Sequence, residues 1–237
     1  MQVGDKMEFL ENGKKVRYNP SNMRRDKKIG WGLEVDVYQI GNEVAKFIKR
    51  CPGKKIFLDK SSIEKMKKID TKRILLPTTV LLDKKHEFRG YKMDYIENLG
   101  VDSYVSLDKE NLVRENDLLK EDLVKLSDEK VLIEDLNHEN TSYHNGIYLI
   151  DPGSYKIDTN LDSNQVYGIN LDLVNHYLIY SVLRNYVLNK YQKVDSYGFS
   201  REVNREYNKS GKNDVLEFFN DIKEESLSEF VENRIKH

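Results

Sequence analysis

The chain has 237 residues, of which 38% are hydrophobic and 33% charged, and its 15 Tyr and 8 Phe supply more aromatic area than a disordered segment carries. The 39 Lys and Arg residues balance 40 Asp and Glu residues, which argues against a nucleic-acid-binding protein. A single cysteine excludes an intramolecular disulfide, and no apolar run is long enough for a conventional transmembrane helix. The first residues lack the apolar core of a signal peptide, so we expect a cytoplasmic location, in its own cell or in a host cell.

The first part of the chain predicts strands. Two alternating apolar and polar stretches flank Gly41-Asn42, which predicts a hairpin with a tight turn. Apolar residues then recur at helical spacing behind Asp59, a capping residue type. Two more strand candidates follow. The predicted order is strand, strand, helix, strand, strand over residues 35–40, 43–48, 63–69, 78–82 and 88–95.

The second part is predicted to be mostly helical, with helices over residues 112–126, 171–191, 215–219 and 227–235. Between the first two helices, residues 146–150 predict a strand that ends at Asp151-Pro152-Gly153. Strand character ends near residues 96–100, so we predict two domains, residues 1–97 and residues 98–237. The fold class is therefore α+β.

Two segments in the first domain suggest phosphate binding. Gly30 and Gly32 open the predicted hairpin, and glycine allows a backbone to approach a phosphate closely. Lys46 lies on the following strand and could reach the phosphates of a nucleotide. Glu64, on the predicted helix, could hold that lysine through an ion pair. An ordinary hairpin entry and a surface lysine are the alternatives for each segment alone.

Two segments in the second domain suggest metal-assisted chemistry. Asp135 and Asn140 share a predicted loop, where the aspartate could orient an acceptor hydroxyl and the asparagine could bind Mg²⁺. Asp151 ends an apolar strand, and a carboxylate there is costly to bury unless it binds a cation or is hydrogen-bonded. A polar loop and an Asp-Pro-Gly turn are the alternatives.

Taken in order, the four segments resemble the protein-kinase signature set, and the resemblance covers residues 28–188. It implies a bilobal fold, with a small antiparallel sheet and one helix in residues 1–97 and a mostly helical lobe in residues 98–237. It implies that Asp135, Lys46 and Glu64 are catalytic, that Asn140 and Asp151 bind Mg²⁺, and that Asp172 braces the catalytic loop. The residues implied to bind ATP are Gly30, Gly32, Val37, Ala45, Lys46, Met93, Asp94, Tyr95 and Ile96.

The sequence departs from the family at several positions. Val35 replaces the third glycine, Ile133-Glu134 replace His-Arg, and Pro152 replaces phenylalanine. Only a short segment separates Asp151 from Asp172. These features suggest a minimal, divergent kinase of bacterial or effector type that transfers phosphate to a Ser, Thr or Tyr hydroxyl of a protein. A small-molecule kinase, an AMP-transferase and a nucleotide-binding pseudokinase remain alternatives, because no motif identifies the acceptor.

Overall fold

The computed structural model describes residues 7–11, 14–18, 28–31, 35–48, 58–83, 85–97, 109–136, 140–143, 147–184, 187, 191, 194–221 and 227–235, and the structural statements below refer to these residues. The chain divides into two compact units that alternate along the sequence. The first unit comprises Met1–Asp70, Leu75–Tyr95 and Pro152–Lys156. The second comprises Thr71–Ile74, Ile96–Asp151 and Ile157–His237. Residues 71–74 and residues 152–156 each belong to a different unit from the residues on both sides of them. The single predicted boundary near residues 96–100 does not include these two short segments.

A seven-stranded antiparallel sheet forms most of the described part of the first unit. Its strands are β1 (Met7–Glu11), β2 (Lys14–Tyr18), β3 (Lys28–Trp31), β4 (Val35–Ile40), β5 (Glu43–Ile48), β6 (Thr79–Leu82) and β7 (Phe88–Asp94). They lie in the order β2-β1-β6-β7-β5-β4-β3. Patterns in the sequence predicted the four strands from β4 to β7, whereas β1, β2 and β3 were not predicted.

The β4–β5 hairpin has the turn that its sequence predicts. Gly41 has a φ of +62°, a conformation that glycine adopts without the steric cost that other residues incur. The two strands then pair over their full length, from Ile40 with Glu43 to Val35 with Ile48.

Helix α1 (Lys60–Met66) is the helix predicted between the strand pairs. The side chain of Asp59 accepts a hydrogen bond of 2.7 Å from the backbone N–H of Ser62, which caps the helix and lowers the pKa of the Asp59 carboxyl. Ile63 and Met66 are fully buried, and α1 packs against β6. The helix thus starts three residues earlier than its apolar pattern suggested, because the cap decides its beginning.

The described part of the second unit is mainly helical. Its helices are α2 (Lys109–Asp128), α3 (Ser163–Tyr177), α4 (Ser196–Ser210), α5 (Val215–Asp221) and α6 (Leu227–Ile235). Three short strands, β8 (Val131–Ile133), β9 (Thr141–Tyr143) and β10 (Ile147–Leu149), accompany them, and β11 (Tyr155–Ile157) crosses the change of unit. The α+β class is confirmed. None of the described helices is long and apolar enough to span a membrane.

Helix α3 begins well before the predicted residue 171. Asp162 and Gln165 form a capping box, in which each side chain binds the backbone of the other residue. The helix continues past Tyr177 as a π-helix over Leu178–Leu183. Asp172, which was expected to open the long helix, therefore lies in its interior.

Helix α4 was not predicted. Its sequence is polar on average, but Phe199 and Val203 recur at helical spacing and are buried, and its ends carry clear markers. Asp195 caps the first turn by accepting hydrogen bonds from the backbone of Tyr197 and Gly198. Gly211 ends the helix with a φ of +69°.

Candidate functional site

The β9–β10 hairpin places two of the predicted residues side by side. Its antiparallel register pairs Thr141 with Leu149. One position further out, the backbone N–H of Ile150 donates to the carbonyl oxygen of Asn140 at 2.9 Å. Asn140 precedes the hairpin and Asp151 follows Ile150, so both lie at the same end of it.

Asp135 joins them through Asn140. The amide Nδ2 of Asn140 donates to the backbone carbonyl of Asp135 at 3.3 Å and to its carboxylate Oδ2 at 3.2 Å. Because the nitrogen of the amide faces Asp135, its oxygen faces away and is oriented as a potential metal ligand. Asp135 is exposed, whereas Asn140 and Asp151 are half-buried. The second unit thus groups three of the predicted residues.

The chemistry of this group fits Mg²⁺. Magnesium prefers oxygen ligands and binds through one or two carboxylates together with water and substrate phosphates. Among the described residues, no three or more His, Cys, Asp and Glu side chains are placed to hold a metal ion on their own. A cation that arrives with a nucleotide needs only a few protein ligands, which Asn140 and Asp151 could supply. Binding of Mg²⁺ there stays a prediction.

A buried asparagine fixes the strand that leads to Asp135. Asn170, on α3, has no exposed surface, and its Oδ1 accepts from the N–H of Ile133 at 2.9 Å. Its Nδ2 donates to the carbonyl of Val131, also at 2.9 Å. Both ends of the amide thus hold β8, which ends two residues before Asp135.

This observation corrects the role expected of Asp172. That residue is exposed on α3, and the side chain that holds the chain ahead of Asp135 is Asn170, two positions earlier. The sequence does contain a signal, since Asn170 lies midway between the buried Val166 and Val174 on the apolar face of the helix. A polar residue on such a face needs buried hydrogen-bond partners.

A second contact from α3 holds the chain beyond Asn140. The hydroxyls of Thr141 and Tyr177 are 2.5 Å apart, and both residues are buried. Tyr177 lies seven residues after Asn170 and therefore on the same side of the helix. Helix α3 thus binds the chain on both sides of residues 134–140.

In the first unit, Lys46 lies on β5 and is only 8% exposed. The register pairs Lys46 with Val37 of β4, and Val44 with Met93 of β7. Paired residues of antiparallel strands share a face, and so do alternate residues of one strand. Lys46, Val37, Val44 and Met93 therefore lie on one face of the sheet.

The same register corrects the prediction for Ala45. Ala45 is paired with Tyr38 and Lys92, on the face opposite Lys46. It is fully buried there and cannot pack around a ligand that Lys46 binds. Val44, not Ala45, shares the face of Lys46.

Glu64 has a different partner from the one expected. Its carboxylate forms an ion pair with Lys67, one turn along α1 and its continuation. The Glu64 side chain is 41% exposed, and such pairs contribute only about 0.3–0.5 kcal/mol. The pair of Glu64 with Lys46 therefore stays a prediction, and it requires Glu64 to leave Lys67.

The segment predicted to bind adenine, residues 93–96, already makes contacts within the first unit. Met93 is 2% exposed, and the backbone N–H of Tyr95 donates to Asn42 at 3.0 Å. This N–H is therefore not available to a nucleotide. The remaining backbone groups of Asp94, Tyr95 and Ile96 stay candidates for adenine binding.

The glycine-rich hairpin is described only in part. Gly30 on β3 pairs with Val37 on β4, with an irregularity between Lys28 and Gly30. Gly32 lies outside the described residues. The pairing of β3 with β4 was not predicted, and phosphate binding by the backbone of Gly30 and Gly32 stays a prediction.

Comparison with known proteins gives no family. No protein-family model and no curated protein matches the chain. The assignment of a function therefore rests on the order, chemistry and geometry of the residues described above.

Sequence reasoning missed one further residue beside Lys46. Gly90 of β7 pairs with Phe47 and has a φ of +155°. A Cβ atom at this position would overlap the backbone carbonyl oxygen of Lys46. Gly90 therefore allows β7 and β5 to approach each other where Lys46 is held, which no pattern in the sequence indicates.

Proposed function

We propose that the chain is an ATP-dependent phosphotransferase with a bilobal, protein-kinase-like fold. The observation that carries this proposal is the grouping of Asp135, Asn140 and Asp151 by hydrogen bonds and by the β9–β10 hairpin. These residues also follow one another in the order of the kinase signature set.

The second unit would supply the groups that act on the transferred phosphate. Phosphoryl transfer depends on positioning and on neutralising negative charge. When bound with ATP, Mg²⁺ neutralises charge on the phosphate oxygens, and Asn140 and Asp151 would hold it. Asp135 would orient the acceptor hydroxyl and accept its proton. The exposure of Asp135 supports this role, because an acceptor must reach it.

The first unit would supply the groups that bind the nucleotide. Lys46 would contact the phosphates of the nucleotide through its ammonium group, which carries the opposite charge. The apolar side chains of Val37, Val44 and Met93 share its face and would pack against adenine. The proposal requires Glu64 to exchange Lys67 for Lys46.

The acceptor that we propose is a Ser, Thr or Tyr hydroxyl of a protein in the cytoplasm, either of the same cell or of a host. A second candidate is a pseudokinase that binds nucleotide without transferring phosphate. The ion pair between Glu64 and Lys67 favours this candidate, because in an active kinase of this type the helix glutamate is expected to bind the strand lysine.

Labelled ATP tests both candidates. The wild-type chain is incubated with cell lysate, Mg²⁺ and ATP labelled at either the γ- or the α-phosphate, and labelled products are separated by size. We expect label from the γ-position on protein, lost in Asp135→Ala and Asp151→Ala and strongly reduced in Lys46→Met. Asp117→Ala changes an exposed aspartate on α2 and is the matched control, with unchanged transfer.

The other outcomes select among the alternatives. Label from the α-position indicates AMP transfer, and γ-label on small molecules indicates a small-molecule kinase. A Mg²⁺-dependent thermal shift with ATP but without transfer indicates the pseudokinase. If ATP and Mg²⁺ cause no shift and no transfer, or if Asp151→Ala is as active as wild type, the proposed function is refuted.

A further inference from the structure

A buried carboxylate on α2 holds a short segment of chain. Asp122 has no exposed surface, and its Oδ2 accepts backbone hydrogen bonds from Lys72 at 2.8 Å, Arg73 at 2.6 Å and Ile74 at 3.1 Å. Its other oxygen lies 3.7 Å from the ammonium group of Lys125. Burial of a charge is costly unless hydrogen bonds and opposite charge compensate it, and three converging N–H groups do so here.

The segment that Asp122 holds, residues 71–74, belongs to the second unit although the chain on both sides of it belongs to the first. Lys72 and Arg73 lie in a bend, and Ile74 forms an isolated bridge. The carboxylate of Asp122 supplies hydrogen-bond acceptors for three consecutive backbone N–H groups, and so determines the path of this segment.

The same segment binds β10. The carbonyl of Arg73 accepts from the N–H of Leu149 at 2.9 Å, and Ile74 forms a parallel bridge with Leu149. The guanidinium group of Arg73 donates to the hydroxyl of Tyr148 and lies 4.6 Å from the centre of its ring. Arg73 and Ile74 thus fix Tyr148 and Leu149, which directly precede Ile150 and Asp151.

We propose that Asp122 is a positioning residue for Asp151. The carboxylate fixes residues 72–74, these fix Tyr148 and Leu149, and the direction of β10 sets the place of the Asp151 carboxylate. This inference rests on the proposed function, in which Asp151 binds Mg²⁺. A displacement of about 1 Å in such a group can lower a rate by about 100-fold.

Asp122→Asn tests the proposal with little change of volume. The amide retains one acceptor oxygen but loses the charge and cannot accept all three hydrogen bonds equally well. We expect kcat to fall at least tenfold and the Mg²⁺ concentration for half-maximal rate to rise at least tenfold. KM for ATP at saturating Mg²⁺ should change less than threefold. Asp117→Asn, exposed on the same helix, is the control.

Amide hydrogen exchange provides a readout that is independent of activity. In Asp122→Asn we expect exchange to accelerate at least tenfold at residues 72–74 and at Leu149, and to be unchanged in α3. Tyr148→Phe is a second variant for use if Asp122→Asn does not fold. It removes one contact of Arg73 and should raise the Mg²⁺ requirement by a smaller factor.

The two measurements separate the failure of this inference from the failure of the proposed function. If the wild type is active and Asp122→Asn keeps the wild-type Mg²⁺ requirement, the positioning role is wrong while the proposed function stands. Unchanged exchange at Leu149 would likewise overturn the link from Asp122 to β10. If the wild type neither binds nor uses Mg²⁺ and ATP, the proposed function fails and the positioning role with it, whatever the exchange data show.

Discussion

Replacement of Asn170 tests how strongly α3 stabilises β8, the strand that leads to Asp135. In Asn170→Leu the side-chain volume is nearly conserved, so no large cavity forms, but the N–H of Ile133 and the carbonyl of Val131 both lose their partner. A buried polar group without a partner costs about 1–3 kcal/mol, which gives a total of about 2–6 kcal/mol for the two groups. Because domains of this size are stable by only about 5–15 kcal/mol, this loss is a large fraction of the stability.

The assay is urea unfolding followed by circular dichroism. We expect a lower transition midpoint for Asn170→Leu with an unchanged slope, which indicates a change in stability rather than in the unfolded state. Asp172→Leu is the matched control on the same helix, and since Asp172 is exposed we expect a change within about 0.5 kcal/mol. The reasoning is refuted if Asn170→Leu unfolds within about 0.5 kcal/mol of wild type, or if Asp172→Leu is equally destabilised.

Two further predictions concern single contacts. Gly90→Ala places a methyl group against the backbone carbonyl of Lys46 and should destabilise the protein by about 1–3 kcal/mol in the same assay. The control is Gly168→Ala, in open space on α3, which should be neutral or stabilising by up to about 1 kcal/mol. Equal effects of the two variants would contradict the close approach of β7 to β5 at Gly90. Burial alone would lower the pKa of Lys120, but its hydrogen bond and ion pair with Asp214 raise it above the usual 10.5. The stability that the Lys120–Asp214 pair contributes is therefore complete below pH 10.5 and is lost as the pH rises further. Unfolding midpoints measured from pH 8 to 11.5 should fall more steeply with pH in wild type than in Lys120→Met. If the midpoints of the two proteins fall in parallel, the pair does not contribute to stability.

Local patterns in the sequence predicted a good part of the fold. Strands β4 and β5 have the predicted bounds, and α6 does as well. Alternation, helical spacing and turn residues are properties of neighbouring positions, so they can be identified without the tertiary structure. The alternation of side chains along a strand also places Ala45 and Lys46 on opposite faces. The kinase motif was matched to these residues without regard to that alternation.

The candidate residues themselves also follow from the sequence, because the order and spacing of Asp135, Asn140 and Asp151 single them out. Their proximity does not. It depends on the β9–β10 hairpin and on one hydrogen bond from Asn140 to Asp135. The sequence also could not identify the ion-pair partner of Glu64, because Lys46 and Lys67 can both pair with this carboxylate.

The sequence by itself determined the residue types that can bind phosphate and magnesium, and the local elements that carry them. Only the tertiary structure decided which buried side chains hold these elements in place. Asn170, Gly90 and Asp122 matter because of groups that are far from them in the chain, such as Ile133, Lys46 and the backbone of residues 72–74. Such contacts form only when distant segments pack together, and therefore no local pattern reports them.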